Sequence, residues 1–176
     1  MTKWFFQIAI FCCIIMTLRE IGKIPMDGRT KGAKLMAGKP VVLVTNNPKA
    51  LKVYENSDTV GVEFLEDGTY LDVLTTVRDR VYAGWHLLSH PQASNLKPNQ
   101  SPYKTVLISD RIEADEHMRD IEYIEMALHN FEKLTRGMIP PAWREKVLPD
   151  FMTIDLDVVE SALNSSLLKQ LIMSHR

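Results

Sequence analysis

The chain reads as an α/β protein: a small, mostly parallel sheet between two layers of helices, Rossmann-like or flavodoxin-like. Three observations predict this. Short apolar runs alternate with amphipathic segments of helical period from Lys39 onward, which is the signature of strand–helix repeats. The runs Val41–Thr45 and Thr105–Ser109 are apolar on consecutive positions, as strands covered on both faces are. Turn and cap residues fall at the joints between them. Three parts are expected: an apolar leader and basic linker at 1–36, an α/β domain at 37–150, and a C-terminal helix at 151–176.

The leader Trp4–Leu18 is nearly all apolar. Its fifteen residues fall short of the ~20 that a bilayer span needs. It has the length of a signal-peptide core, yet no small-x-small cleavage pattern follows. Arg19, Lys23, Arg29, Lys31, Lys34 and Lys39 come next, and such charge holds a following domain in the cytoplasm. Several readings stand side by side. Translation starts at Met26 or Met36 and the leader is not part of the working protein, or the leader anchors the protein to a membrane through residues 4–18, or it is a signal peptide or a helix packed on the domain. The domain is expected in the cytoplasm.

The first strand ends in Thr45-Asn46-Asn47-Pro48. Asparagine caps helix N-termini and proline suits the first helical position, so a helix is predicted from Pro48 to about Tyr54. Val60–Leu65 forms a second strand, closed by the turn Glu66-Asp67-Gly68. Thr69 and Asp72 have the spacing of a capping box. The helix they open carries the stripe Tyr70, Val73, Leu74, Val77 and Val81, and Gly84 ends it. Strands are predicted at His86–Ser89 and Thr105–Ser109, then a helix over about Asp115–Thr135 facing inward with Met118, Ile121, Ile124, Leu128, Phe131 and Leu134. Gly137 and Pro140-Pro141 stop it, and Pro149 marks a further break. A last helix, about Leu156–Met173, carries Leu156, Val159, Leu163, Leu167 and Leu171. It packs on the domain or joins two copies in a homodimer.

Composition removes several functions. A net charge of −1 supplies no general basic face for nucleic acid. Cys12 and Cys13 lie in the leader, so the domain has no thiol nucleophile and the chain no cysteine framework. The phosphate-binding, dinucleotide-binding, nucleophile-elbow and HExxH motifs are all missing. No cofactor and no metal is expected. His86 and His90 are four apart on or beside a strand, which separates them by ~13 Å, too far to share an ion.

What remains is a polar constellation at the strand ends. In a parallel sheet ligands bind beyond the carboxyl ends, which would gather Thr45, Asn46, Asn47, Ser89, His90 and Ser109. Asn46 and Asn47 can donate to an anion at the start of the Pro48 helix; capping accounts for one of them. His90 is the candidate for ligand contact or proton transfer, against a plain hydrogen bond to its own loop. Lys97, Asn99 and Tyr103 sit in a loop stiffened by Pro91, Pro98 and Pro102, where they can hold a carboxylate or phosphate, or simply face solvent. Ser89 and Ser109 have no base nearby in sequence. Asp79 and Arg80 read as a solvated helix face, and Met126 and Met138 as core filler.

The segments VLVTNNP (42–48), GTYLDVLTTVRD (68–79) and HLLSHPQASNLKPNQSPYKTVLIS (86–109) together resemble GrdX, a small protein encoded with the glycine, sarcosine and betaine reductase genes of amino-acid-fermenting anaerobes. The likeness runs over about Lys39–Thr135, and the leader is foreign to it. The resemblance implies a cytoplasmic protein linked to the selenium-dependent reductases and supplies no catalytic residues. Expected is an accessory protein of that system, binding a small anionic ligand or a reductase component. The competing expectation is a small enzyme acting on a phosphorylated or carboxylated metabolite, with His90 as acid or base.

Overall fold

The structure, a computed structural model, describes residues 38–94, 96–110, 117–139 and 141–174. The leader and basic linker predicted over 1–36, and the first residues of the helix predicted from Asp115, lie outside the described residues. Among the described residues, four strands and five α-helices follow in the order β1 (Val41–Thr45), α1 (Pro48–Tyr54), β2 (Val60–Phe64), α2 (Tyr70–Tyr82), β3 (His86–Leu87), β4 (Thr105–Ser109), α3 (His117–Thr135), α4 (Leu148–Leu163) and α5 (Ser166–Met173).

Local chemistry sets most of the boundaries. Asn47 caps α1 through a bond from Lys49 N–H at 2.9 Å, with Pro48 opening the helix. Thr69 and Asp72 form a reciprocal capping box at α2, and all five residues of the expected stripe are buried. Gly84 takes a φ of +98° just beyond it, a conformation that a side chain resists. At the β2–α2 turn, a Cβ on Gly68 would stand 2.7 Å from Leu65 Cβ, so the turn closes only with glycine there.

The sheet order is β2-β1-β4-β3. Here the expectation of a mostly parallel sheet is corrected: β1 and β2 are parallel, whereas β4 runs antiparallel to both β1 and β3. A parallel neighbour requires a crossover, usually a helix. Among the described residues no helix links β3 to β4; residues 88–94 and 96–104 loop over one end of the sheet and bring the chain straight back.

Helices lie on both faces, as expected. Val42, Val44, Leu87, Val106 and Ile108 meet α2 and α3 on one side. Val41, Leu43, Val60 and Leu107 meet α1, α4 and α5 on the other. Alternation along β1 and β4 divides their apolar side chains between the two cores, each fully buried Val or Leu contributing ~2 kcal/mol.

The C-terminal part differs from the single helix expected over Leu156–Met173. Pro149 starts α4 rather than breaking the chain, since the first helical turn has no use for its missing N–H. The helix stops at Asn164, and Ser165 caps a new one by accepting from Leu168 N–H. Restarting shifts the phase, so α5 buries Leu168 and leaves Leu167 74% exposed. Met118, Met126 and Met138 are likewise exposed rather than core. Arg80 is no solvated residue: its fork grips the buried Glu63 carboxylate at 2.8 and 3.1 Å, and its guanidinium lies over Trp85. Among the described residues, no helix is long and apolar enough to cross a membrane.

Candidate functional site

The carboxyl ends of β1 and β2 and the amino end of β4 share one edge of the domain, because β4 runs the other way. Thr105 therefore stands opposite Thr45, with their hydroxyls 2.6 Å apart. Ser109, expected in this group, pairs with His86 at the far edge of the sheet instead. The antiparallel return of β4 is the reason.

A buried carboxylate organises this edge. Asp155, projecting from α4, accepts from Thr105 N–H at 2.9 Å, from the Thr105 hydroxyl at 2.6 Å and from Asn47 Nδ2 at 2.8 Å. Asn47 Nδ2 also donates to Met152 O, and Asn47 N–H donates to Thr45 Oγ1. Asn46 spans the neighbouring gap: its amide donates to Gly68 O and Pro102 O, and its Oδ1 accepts from Lys104 N–H. Thr45, Asn46 and Asn47 are all buried. Their polar side-chain atoms are bonded within the protein, tying α1, α4, the β2–α2 turn and the 88–104 loop to the strand ends.

Lys104 is 2% exposed. Its Nζ donates to Ala93 O at 3.1 Å and holds the loop down from beneath. Burial pushes its ammonium down to about 8, and the Asp155 carboxylate works the other way. The Nζ lies 6.0 Å from the centre of the Tyr70 ring.

His90 stands outside, exposed, tilted against the Tyr123 ring at 5.2 Å. Its Nδ1 accepts from Gln92 N–H at 3.1 Å, which leaves Nε2 to carry the proton of the neutral ring. Partial burial and then the charge of Lys104 hold its pKa below the ordinary histidine value. Ser89 Oγ accepts from Leu107 N–H at 2.9 Å. Lys97 is exposed at the start of a turn closed by Gln100. Tyr103 is half-buried, and burial raises its phenol pKa.

Asn99 belongs to a different feature. A cleft of about 570 Å³ opens between the first turn of α2, the Pro98–Pro102 part of the loop, the end of α3 and the residues Met138, Ile139, Pro141 and Trp143. Tyr70, Phe131, Met138, Ile139 and Trp143 give it apolar walls. Two of the lining residues each hold a fully buried polar atom, Tyr70 Oη and Asn99 Oδ1, with no hydrogen-bond partner among the described residues. Burial, helped by Asp155, keeps the Tyr70 phenol protonated well above its usual range. His90 does not line the cleft. Tyr123, on which it rests, is eight residues along α3 from Phe131, ~12 Å of helix.

Asp155, Lys104 and Tyr70 carry the polar architecture, and none of them stood out in sequence as a site residue. Asp155 left one signal, an acidic residue inside the apolar stripe Met152, Leu156, Val159, where an unpaired carboxylate is costly. Lys104 directly precedes a strand with no exposed residue, which is the corresponding signal on β4. Among the described residues no group of three or more His, Cys, Asp or Glu side chains is arranged to hold a metal ion.

Fold and site together define a small α/β protein with a mixed four-stranded sheet and a ligand-sized cleft beside its strand ends. The chain belongs to the GrdX-like protein family, whose pattern it matches over residues 42–164. That match extends through α4 and so includes Asp155. No curated protein and no solved structure matches the chain significantly.

Proposed function

We propose that this GrdX-like protein is a non-catalytic accessory protein of the glycine reductase system that binds a small ligand under its 88–104 loop. One observation carries the reading: a cleft of about 570 Å³ opens beside the strand ends, with Tyr70, Phe131, Met138, Ile139 and Trp143 as apolar walls and Thr69, Asn99 and Ser101 as polar lining residues. Its volume falls in the range of small-molecule sites, roughly 300–1,000 Å³. The Thr45–Asn47 turn supports the loop's floor and has no side-chain donor to spare, so recognition falls to the loop itself. Asn99 lines the cleft, and the exposed Lys97, which precedes the lining residue Pro98 in the chain, is the cation proposed for an anionic ligand. A reductase component docking on the same loop would meet His90, Lys97 and Tyr103.

The test is a thermal-shift screen of the full chain against carboxylates, acyl phosphates, nucleotides and uncharged amides, followed by pull-downs with the reductase components. A ligand at 100 times its Kd stabilises by ~2.7 kcal/mol, which raises Tm by roughly 5–10 °C for a chain of this size. Loss of that shift in Asn99→Leu or Lys97→Ala supports the reading. No shift from any compound and no captured component would sink it.

The second reading is a small enzyme for a phosphorylated or carboxylated metabolite, favoured by the exposed His90 imidazole that stays neutral near pH 7. It requires His90→Ala to abolish turnover of some such metabolite while Tm stays unchanged.

A further inference from the structure

A second cleft, of about 540 Å³, lies in the crevice between α2 and α3. The two helices run antiparallel: Tyr70 at the start of α2 stacks on Phe131 near the end of α3, and Tyr82 at the end of α2 reaches Glu125. The two clefts meet at Leu71, Phe131 and Thr135, which line both. From Glu125 to Thr135 the crevice follows α3 for ~15 Å, the length of about four or five extended residues. Together the clefts exceed the ~300–1,000 Å³ of small-molecule sites and suit a stretch of polypeptide laid along the helices.

The two halves differ in character. Leu71, Met138 and Ile139 of the first cleft are 41%, 50% and 90% exposed, and exposed apolar side chains gathered at a concave surface mark interaction sites. The crevice carries charge instead, with Arg78, Glu125 and Glu132 among its walls. The Arg78 guanidinium donates two bonds to Asp79, and Glu132 pairs with Arg136 at 2.8 Å. Glu125 accepts from the Tyr82 phenol at 3.2 Å. Three carboxylates thus stand with two guanidiniums, and with His129 neutral the crevice has surplus negative charge.

We propose that the cleft and the α2–α3 crevice form one docking groove for an amphipathic basic segment of a partner protein. Its apolar side chains enter the cleft, and a lysine or arginine a few residues along lies against Glu125 and Glu132. The proposal rests on the reading of the cleft as a binding site and gives it a polypeptide occupant.

The experiment probes an array of hexapeptides with the full chain at pH 8, each peptide holding two apolar and two basic residues among glycine and serine. Two control arrays put glutamate for each basic residue, or serine for each apolar one. The strongest binder is then titrated by fluorescence polarisation. Saturable binding is expected, at least tenfold weaker in both control sets. Leu71→Gln and Glu125→Lys should each weaken it about fivefold or more, with Tm close to the parent's because both side chains are exposed. Met126→Gln, at an exposed apolar position outside both clefts, should change nothing. Binding that ignores the exchange of charge, survives both groove variants or falls equally in Met126→Gln would overturn the proposal. If no peptide binds while the thermal-shift panel finds a ligand, the cleft belongs to a metabolite: the peptide proposal falls and the reading beneath it stands. If both are silent, the two fail together.

Discussion

Replacing Asp155 tests the strand-end architecture most directly. Its carboxylate collects three donors from two other segments: Thr105 N–H, the Thr105 hydroxyl and the Asn47 amide. In Asp155→Ala the hydroxyl can turn to Thr45 Oγ1, already 2.6 Å away, so its loss costs little. The other two donors are fixed by the backbone and by the second bond of Asn47 to Met152 O. Each loses a charge-assisted bond worth roughly 1.5–3 kcal/mol in a buried place. The sum is about 4 kcal/mol, enough to lower Tm by roughly 8–16 °C. Asp155→Asn keeps an acceptor for Thr105 N–H but sets one amide against another at Asn47, so about half that loss is expected. Urea unfolding followed by circular dichroism measures both through the midpoint at constant m. A cost under ~1 kcal/mol for Asp155→Ala with unchanged m would refute the claim that this carboxylate holds α4 to the strand ends.

Three further outcomes follow from the same geometry. Gly68→Ala should destabilise by ~1–3 kcal/mol in the same urea assay, because the new Cβ meets Leu65 Cβ and the β2–α2 turn must open. Lys104 binds its proton less tightly folded, near 8, than its ordinary 10.5. Between those values the unfolded chain holds more of the proton, so folding stability rises with pH across that window. Lys104→Met should lack this rise, and parallel unfolding curves at pH 7.5 and 10 measure it. If α5 joins two copies through Leu167, Leu167→Glu should convert a dimer to monomer in analytical ultracentrifugation with little change in Tm, since that side chain is 74% exposed.

Much of the fold was legible because it is written in neighbouring residues. The Asn47–Pro48 cap, the Thr69–Asp72 box and the stop at Gly84 are contacts over a few positions, and the five-residue stripe of α2 needs only the helical period. Of the candidate site, Asn99 reached the cleft, and Thr45, Asn46 and Asn47 reached the strand ends, although as bonded parts of the framework. Ser109 did not join them: strand direction is decided by how the chain returns, and no residue within β4 records it. Asp155 and Thr105 lie 50 positions apart, so the bonds between them have no local period or motif to mark them.

By itself, then, the sequence determined the strand and helix segments from β1 to α3, their caps, their two-sided burial and the family to which they belong. Only the tertiary structure decided that β4 runs backward, that Asp155 binds three segments into one edge, and that Tyr70 and Asn99 line a common cleft. The division has a physical reason. Propensity, capping and periodicity act within a turn or two of chain, whereas sheet direction and buried polar pairing depend on distant segments sharing one low-dielectric space.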